Sequence, residues 1–137
     1  MTIDLSRVAA DDVLADFAFT VTADDVRDYL DATGEENDLW ETHVPPLALG
    51  ALVLAGLIAR AGGLEGLVHT GQQISFHRAV AIDETLSGRF TVISHSKRKG
   101  VYINALKLEI SSEHGPVADG RTTLLLAPQG ATEPVDA

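Results

Sequence analysis

The stretch that decides the fold is Pro45-Pro46-Leu47-Ala48-Leu49-Gly50-Ala51-Leu52-Val53-Leu54-Ala55-Gly56-Leu57-Ile58-Ala59-Arg60. No charge falls between Val44 and Ala59, and a helix that is apolar on every face must be buried all round. The run is broken by Pro and Gly and is shorter than the ~20 apolar residues of a good membrane span. It therefore reads as a central helix wrapped by a sheet. Pro45-Pro46 fits the first helical turn, where a missing N–H costs little, and Gly62-Gly63 closes the helix. The helix start offers free backbone N–H groups to the polar loop Gly34-Glu35-Glu36-Asn37-Asp38-Leu39-Trp40-Glu41-Thr42-His43. Chemistry is expected there.

Upstream, Phe17 to Val21 is β-prone. Thr22-Ala23-Asp24-Asp25 then reads as a capping box with Asp25 in the place usually held by Glu. Val26, Tyr29 and Leu30 recur at helical spacing, and Gly34 suits the position just past a helix end. After Gly66 the period changes to two. Alternation over Val68 to Val80, Thr85 to His95, Val101 to Ser111 and Ala118 to Ala127 predicts four strands. Their links are short, so antiparallel pairing is expected. The sum is an α+β domain over residues 1–127, an antiparallel sheet wrapped around a long central helix, with 128–137 as a flexible tail. One such sheet covers the helix on one face and leaves open edges, which dimerisation commonly hides.

The chain has 137 residues, 45% of them hydrophobic, enough for one domain with a core. Its net charge of −10 argues against nucleic acid as a partner. Lys97-Arg98-Lys99 is the only basic run, a solvated hairpin turn or a patch for an anionic ligand. With no cysteine there is no disulfide, thiolate metal site or thiol nucleophile. His95 and His114 flank no carboxylate at ligand spacing, so no metal is expected. His77 reads as a sheet-surface residue, and His69, His95 and His114 as strand-end or turn residues. Asp4, Arg7, Asp11 and Asp12 interrupt any secretory leader. A cytoplasmic protein without a membrane segment is the expectation.

These elements, in this order, resemble the hot-dog fold and within it the MaoC-like hydratase/dehydratase family. That family's signature, Tyr-x-x-x-Ser/Thr-Gly-Asp-x-Asn-Pro-x-His, is followed by Pro-x-x-His-Gly at the central helix. Here Tyr29-Leu30-Asp31-Ala32-Thr33-Gly34-Glu35-Glu36-Asn37-Asp38-Leu39-Trp40 precedes Pro46-Leu47-Ala48-Leu49-Gly50. Gly71 to Val80, Asp83 to Leu86 and Arg121 to Leu124 resemble later strands, and the similarity spans about residues 17–127. In direct register the family's catalytic Asp falls on Glu35 and its His on Trp40. Asp38 and His43 keep the Asp-x-x-x-x-His spacing, displaced by three residues.

The resemblance implies reversible hydration of an enoyl thioester of coenzyme A or acyl carrier protein, with no cofactor. A carboxylate and an imidazole flank one water as general base and acid. The resemblance casts Asp38 and His43 in those roles, with Glu35 as the alternative carboxylate. The Gly50 N–H would face the thioester oxygen as it gains charge. Trp40 and Asn37 become substrate-binding residues, Trp40 as a pocket wall or else a packing residue and Asn37 otherwise a brace for the loop, and Lys97, Arg98 and Lys99 partners for the coenzyme's phosphates. Two other readings stand beside this one. The first is a non-catalytic hot-dog subunit that binds an acyl ligand or pairs with an active partner, as a homodimer or heterodimer. The second is a thioesterase using Glu35 or Asp38.

Overall fold

A computed structural model describes residues 3–62 and 65–127. Strand β1 (Val13–Phe19) leads to helix α1 (Ala23–Thr33), a 3-10 turn (Asp38–Glu41) and helix α2 (Pro46–Arg60). Strands β2 (Leu67–Phe76), β3 (Leu86–Arg98), β4 (Val101–Ser112) and β5 (Gly115–Leu126) follow. The α1 signals act as read: the Thr22 side chain accepts from the Asp25 N–H, the Asp25 carboxylate accepts from the Thr22 N–H, and Gly34 ends the helix at φ 72°. The expected first strand over Phe17 to Val21 instead spans Val13–Phe19. The chain beyond Ala127, expected as a flexible tail, lies outside the described residues, as does Gly63.

All five strands form one antiparallel sheet in the order β1-β3-β4-β5-β2. β2 and β3 do not pair, although only nine residues separate them. The segment after β2 crosses the start of α2, where the Val44 N–H donates to the Val80 carbonyl at 2.9 Å and Ile82 N–H to the Thr42 carbonyl at 3.0 Å. The strand is thereby left at one edge, beside β5. A short link is therefore no proof of a hairpin; this one spends its hydrogen bonds on a loop.

Helix α2 lies across the inner face of the sheet, where Val53 and Leu57 are fully buried with Phe90, Leu106, Leu108 and Leu124. Gly88 permits the contact: a Cβ there would meet the Val53 Cγ2 at 2.7 Å. Burial all round the helix, expected from its composition, is not what one chain provides. Leu47 is 66% exposed, and Ala51 and Ala55 on the same face are exposed too. One sheet and its loops cover three sides of a helix, not four. Among the described residues two polar side chains are buried, both with partners: Asn104 donates through Nδ2 to the Leu5 carbonyl and accepts at Oδ1 from His95, while Thr122 Oγ1 donates to Gln72. His95, read as a strand-end residue, is thus an interior residue of β3.

Replacing Gly88 by Ala should lower stability by about 1–3 kcal/mol through overpacking against Val53. In urea titrations the Gly88→Ala/Val53→Ala double variant should lose less than the sum of the singles, because the smaller side chain relieves the clash. Strict additivity would show that α2 does not depend on this contact.

Candidate functional site

The loop expected to carry chemistry is built by local bonds. Asn37 caps the 3-10 turn, its Oδ1 accepting from the Leu39 N–H at 2.9 Å. The turn then holds His43, whose N–H donates to the Leu39 carbonyl at 2.9 Å. The His43 ring shares a 2.8 Å hydrogen bond through Nδ1 with Thr42 Oγ1, and an isolated bridge joins His43 to Ala81. The link after β2 thus pins His43 over the start of α2.

A cavity of about 190 Å³ opens there, lined by Leu39, Trp40, His43, Val44, Pro46, Leu49, Phe76, Arg78, Ala79 and Val80. Of the sequence-nominated residues it gathers Trp40 and His43 only. Asp38 and Glu35 are exposed and do not line it. The loop therefore does not return the Asp38 carboxylate to the pocket beside His43. Asn37 plays the structural part, spending its side chain on the turn.

Gly50 also departs from expectation. It is the fifth residue of α2, where the N–H bonds to the Pro46 carbonyl of its own helix. Pro45 and Pro46 have no N–H to give, and Ala48 and Leu49 both donate to the Pro45 carbonyl. Among the described residues, Leu47 alone of the first turn keeps an N–H without a partner. The prolines that mark the helix start remove most of the donors it was expected to offer.

Lys97, Arg98 and Lys99 form the β3–β4 hairpin tip, where Lys97 lies over the Tyr102 ring at 5.1 Å. Tyr102 pairs with Leu126 and Leu126 with Leu67, at the start of β2. The cavity lies at the other end of that strand, beyond Phe76. The basic run is thus a sheet's length, roughly 30 Å, from the cavity of its own chain.

Sequence reading missed Arg78 and Glu84. The Arg78 guanidinium donates through both terminal nitrogens to the Glu84 carboxylate, and also to the Ala79 carbonyl at 2.9 Å and Ser112 Oγ at 2.6 Å. The hydrogen bonds from Arg78 hold the Glu84 carboxyl below its ordinary value of 4.5, against the opposing effect of burial. The same bonds raise Arg78. One signal was available: Arg78 is the only Asp, Glu, Lys or Arg between Val68 and Val80.

The architecture and the cavity can be set beside known structures. The chain superposes on the unliganded R-hydratase PhaJ1 from Pseudomonas aeruginosa with a TM-score of 0.75, at 17% identity, over 93% of this chain and 88% of that one. A MaoC-like dehydratase from Rhodospirillum rubrum gives 0.72 at 14% identity, over 93% and 98%. The ChsH1-ChsH2 complex from Mycobacterium tuberculosis gives 0.71 at 13% identity, over 88% and 99%. This chain has the hot-dog fold. Neither a protein-family model nor a curated protein sequence matches it. Within this hot-dog domain, and among the described residues, no group of three or more His, Cys, Asp or Glu could hold a metal ion, and no helix is long and apolar enough to cross a membrane.

The Arg78–Glu84 pair sets a pH dependence. A carboxyl with a lowered folded-state value contributes stability above its ordinary value and loses it as pH falls through the lowered one. Glu84→Gln should therefore destabilise the domain at neutral pH, by roughly 1–3 kcal/mol for a partly buried charge-assisted bond. The gap to wild type should close as pH drops below about 4.5. Urea midpoints measured from pH 7 to pH 3 check this, and a constant gap would exclude the ion pair as its source.

Proposed function

We propose that this chain is a MaoC-like hot-dog subunit that binds the acyl end of a thioester carried by coenzyme A or acyl carrier protein. Hydration or dehydration then needs a second hot-dog chain that supplies the acid–base pair. One observation carries the reading: the cavity at the start of α2 contains His43 and no carboxylate. Adding water across an enoyl thioester needs one group to take the water's proton and one to hand a proton to carbon. The residues around this cavity provide half of that set. Hydratase, dehydratase and two-chain neighbours of the same fold support the assignment.

The surfaces left open suit a partner. The exposed apolar stripe Leu47, Ala51 and Ala55 runs along α2. Edge strand β2 carries no Asp, Glu, Lys or Arg, though natural sheets usually guard open edges with charge or Pro. Two such edges pairing antiparallel about a two-fold axis would set the end of one β2 beside the start of the other. The partner's basic hairpin would then reach the cavity end of the sheet, about 15 Å away across three strand spacings. Lys97, Arg98 and Lys99 would thereby serve the neighbouring chain's carrier phosphates. The same geometry serves a homodimer or a heterodimer with another hot-dog chain.

A second reading, hydration by this chain alone, is supported by the place of His43 in the cavity and requires Asp38 to turn inward. Crotonyl-CoA separates the two. On the favoured reading the purified chain binds butyryl-CoA but removes the enoyl absorbance of crotonyl-CoA no faster than buffer. Turnover that falls ~10²–10⁴-fold in both His43→Ala and Asp38→Asn would instead establish the second.

The assembly makes its own prediction. Replacing Lys97, Arg98 and Lys99 together by Gln should weaken butyryl-CoA binding at low salt, with the difference fading as ionic strength rises. Sedimentation should give a dimer burying well over ~1,000 Å². A stable monomer with unchanged affinity would remove the hairpin from the site.

A further inference from the structure

Two buried hydrogen-bond donors on residues that line this cavity have nothing to donate to. Among the described residues, Trp40 Nε1 and Arg78 Nε are the side-chain nitrogens that are buried without a partner, and both residues line the same 190 Å³ space. A buried donor left unpaired costs about 1–3 kcal/mol, and native structures seldom carry one without a reason. Finding both at one cavity points to an acceptor that belongs there.

Neither donor is free to turn away. The terminal nitrogens of Arg78 are committed to Glu84, Ala79 and Ser112, which clamps the plane of the guanidinium. Trp40 sits on a 3-10 turn capped by Asn37, with its own N–H on the Asn37 carbonyl at 3.0 Å. The acceptor's chemistry follows from the walls. Leu39, Val44, Pro46, Leu49, Phe76 and Val80 are apolar, and the positive charge of Arg78 is already matched by Glu84. An anion entering here would lose its hydration and meet no fixed positive charge left unmatched, His43 being the one titratable group besides Arg78 in the lining. A neutral oxygen with two lone pairs suits two N–H donors. The volume lies below the ~300–1,000 Å³ of sites that enclose whole drug-sized ligands, so it takes the end of a ligand and not its carrier.

We infer that Trp40 Nε1 and Arg78 Nε form a side-chain receptor for a neutral carbonyl oxygen. Resting on the reading above, that oxygen is the thioester carbonyl of a short acyl group. The two donors replace the backbone N–H that Gly50 does not have to give. They are binding and specificity residues: they distinguish an acyl thioester from the thioether of the same length, which lacks the oxygen.

Trp40 is the only tryptophan in the chain, so one indole N–H resonance in an ¹H–¹⁵N spectrum reports on it alone. The probes are butyryl-CoA and its thioether counterpart, S-butyl-CoA. Saturation with butyryl-CoA should move the indole N–H and the Arg78 Nε–H resonances downfield, and S-butyl-CoA should leave both nearly in place. Trp40→Phe keeps a ring in the wall but removes the donor. It should weaken butyryl-CoA binding about tenfold, the worth of one good hydrogen bond, and leave S-butyl-CoA binding unchanged. An indole resonance that stays put at saturating butyryl-CoA, or equal affinity of the two probes for the wild-type chain, overturns the receptor while leaving the acyl-binding reading intact. Absence of binding by either probe overturns both. The wild-type spectra decide the matter even if the variant folds poorly.

Discussion

The contact between α2 and the bare backbone of β3 at Gly88 is the constraint on which the rest of the structure depends. Because no Cβ stands at Gly88, Val53 and Leu57 reach full burial and the helix lies close on the sheet. Gly56 plays the same part toward the Phe17 ring, which it meets from the β1 side. With the helix seated, its first turn is delivered over the end of β2. The link from Arg78 to Glu84 must then cross that turn to reach β3. The cavity is what remains between the crossing link, the 3-10 turn and the helix start, so the site is a by-product of how α2 is seated.

The same arrangement leaves the molecule with two unlike outer surfaces. The sheet's far face carries a cross-strand row of Asp16, Arg89, Glu109 and Asp119, with Asp16 accepting twice from Arg89. Such exposed pairs contribute little to stability, but they keep that face in water. The helix side carries Leu47, Ala51 and Ala55 instead. At about 25 cal/mol per Å² of apolar surface removed from water, covering that stripe and the uncharged β2 edge favours association. Net charge resists it only weakly, because exposed charges are screened by salt. On the proposed assembly, one face is finished by solvent and the other by a second chain.

What could be read from the sequence was what local physics decides. The uncharged run from Val44 to Ala59 specified a helix whatever its neighbours do, Thr22 and Asp25 marked a helix start, and strict alternation marked β3 and β4. Topology was less accessible: nothing in Val80 to Glu84 declares that its hydrogen bonds go to Thr42 and Val44 and not across a hairpin. The site was hardest to read, because its parts come from three separated segments. Asp38 and His43 have a suggestive spacing, yet whether five residues fold back on themselves depends on the Asn37 cap and the short 3-10 turn, which point Asp38 outward. Arg78 and Glu84 were visible only as isolated charges until the crossing link brought them together.

An apolar cavity with fixed donors and no acid–base pair is good at one of the two tasks that thioester hydration sets. Holding the carbonyl oxygen needs donors that do not move and are shielded from water, the part we infer for the clamped guanidinium and the capped indole. Shuttling a proton needs two groups of matched basicity on opposite sides of one water, and burying a carboxylate in walls this apolar would push it toward its neutral form. The two demands therefore pull a single small pocket in different directions. Dividing them between two chains of the same fold lets one pocket stay dry and the other stay polar. On the proposed function, a cavity lined by no carboxylate suits a pocket that holds the acyl end of the substrate and leaves proton transfer to a second chain.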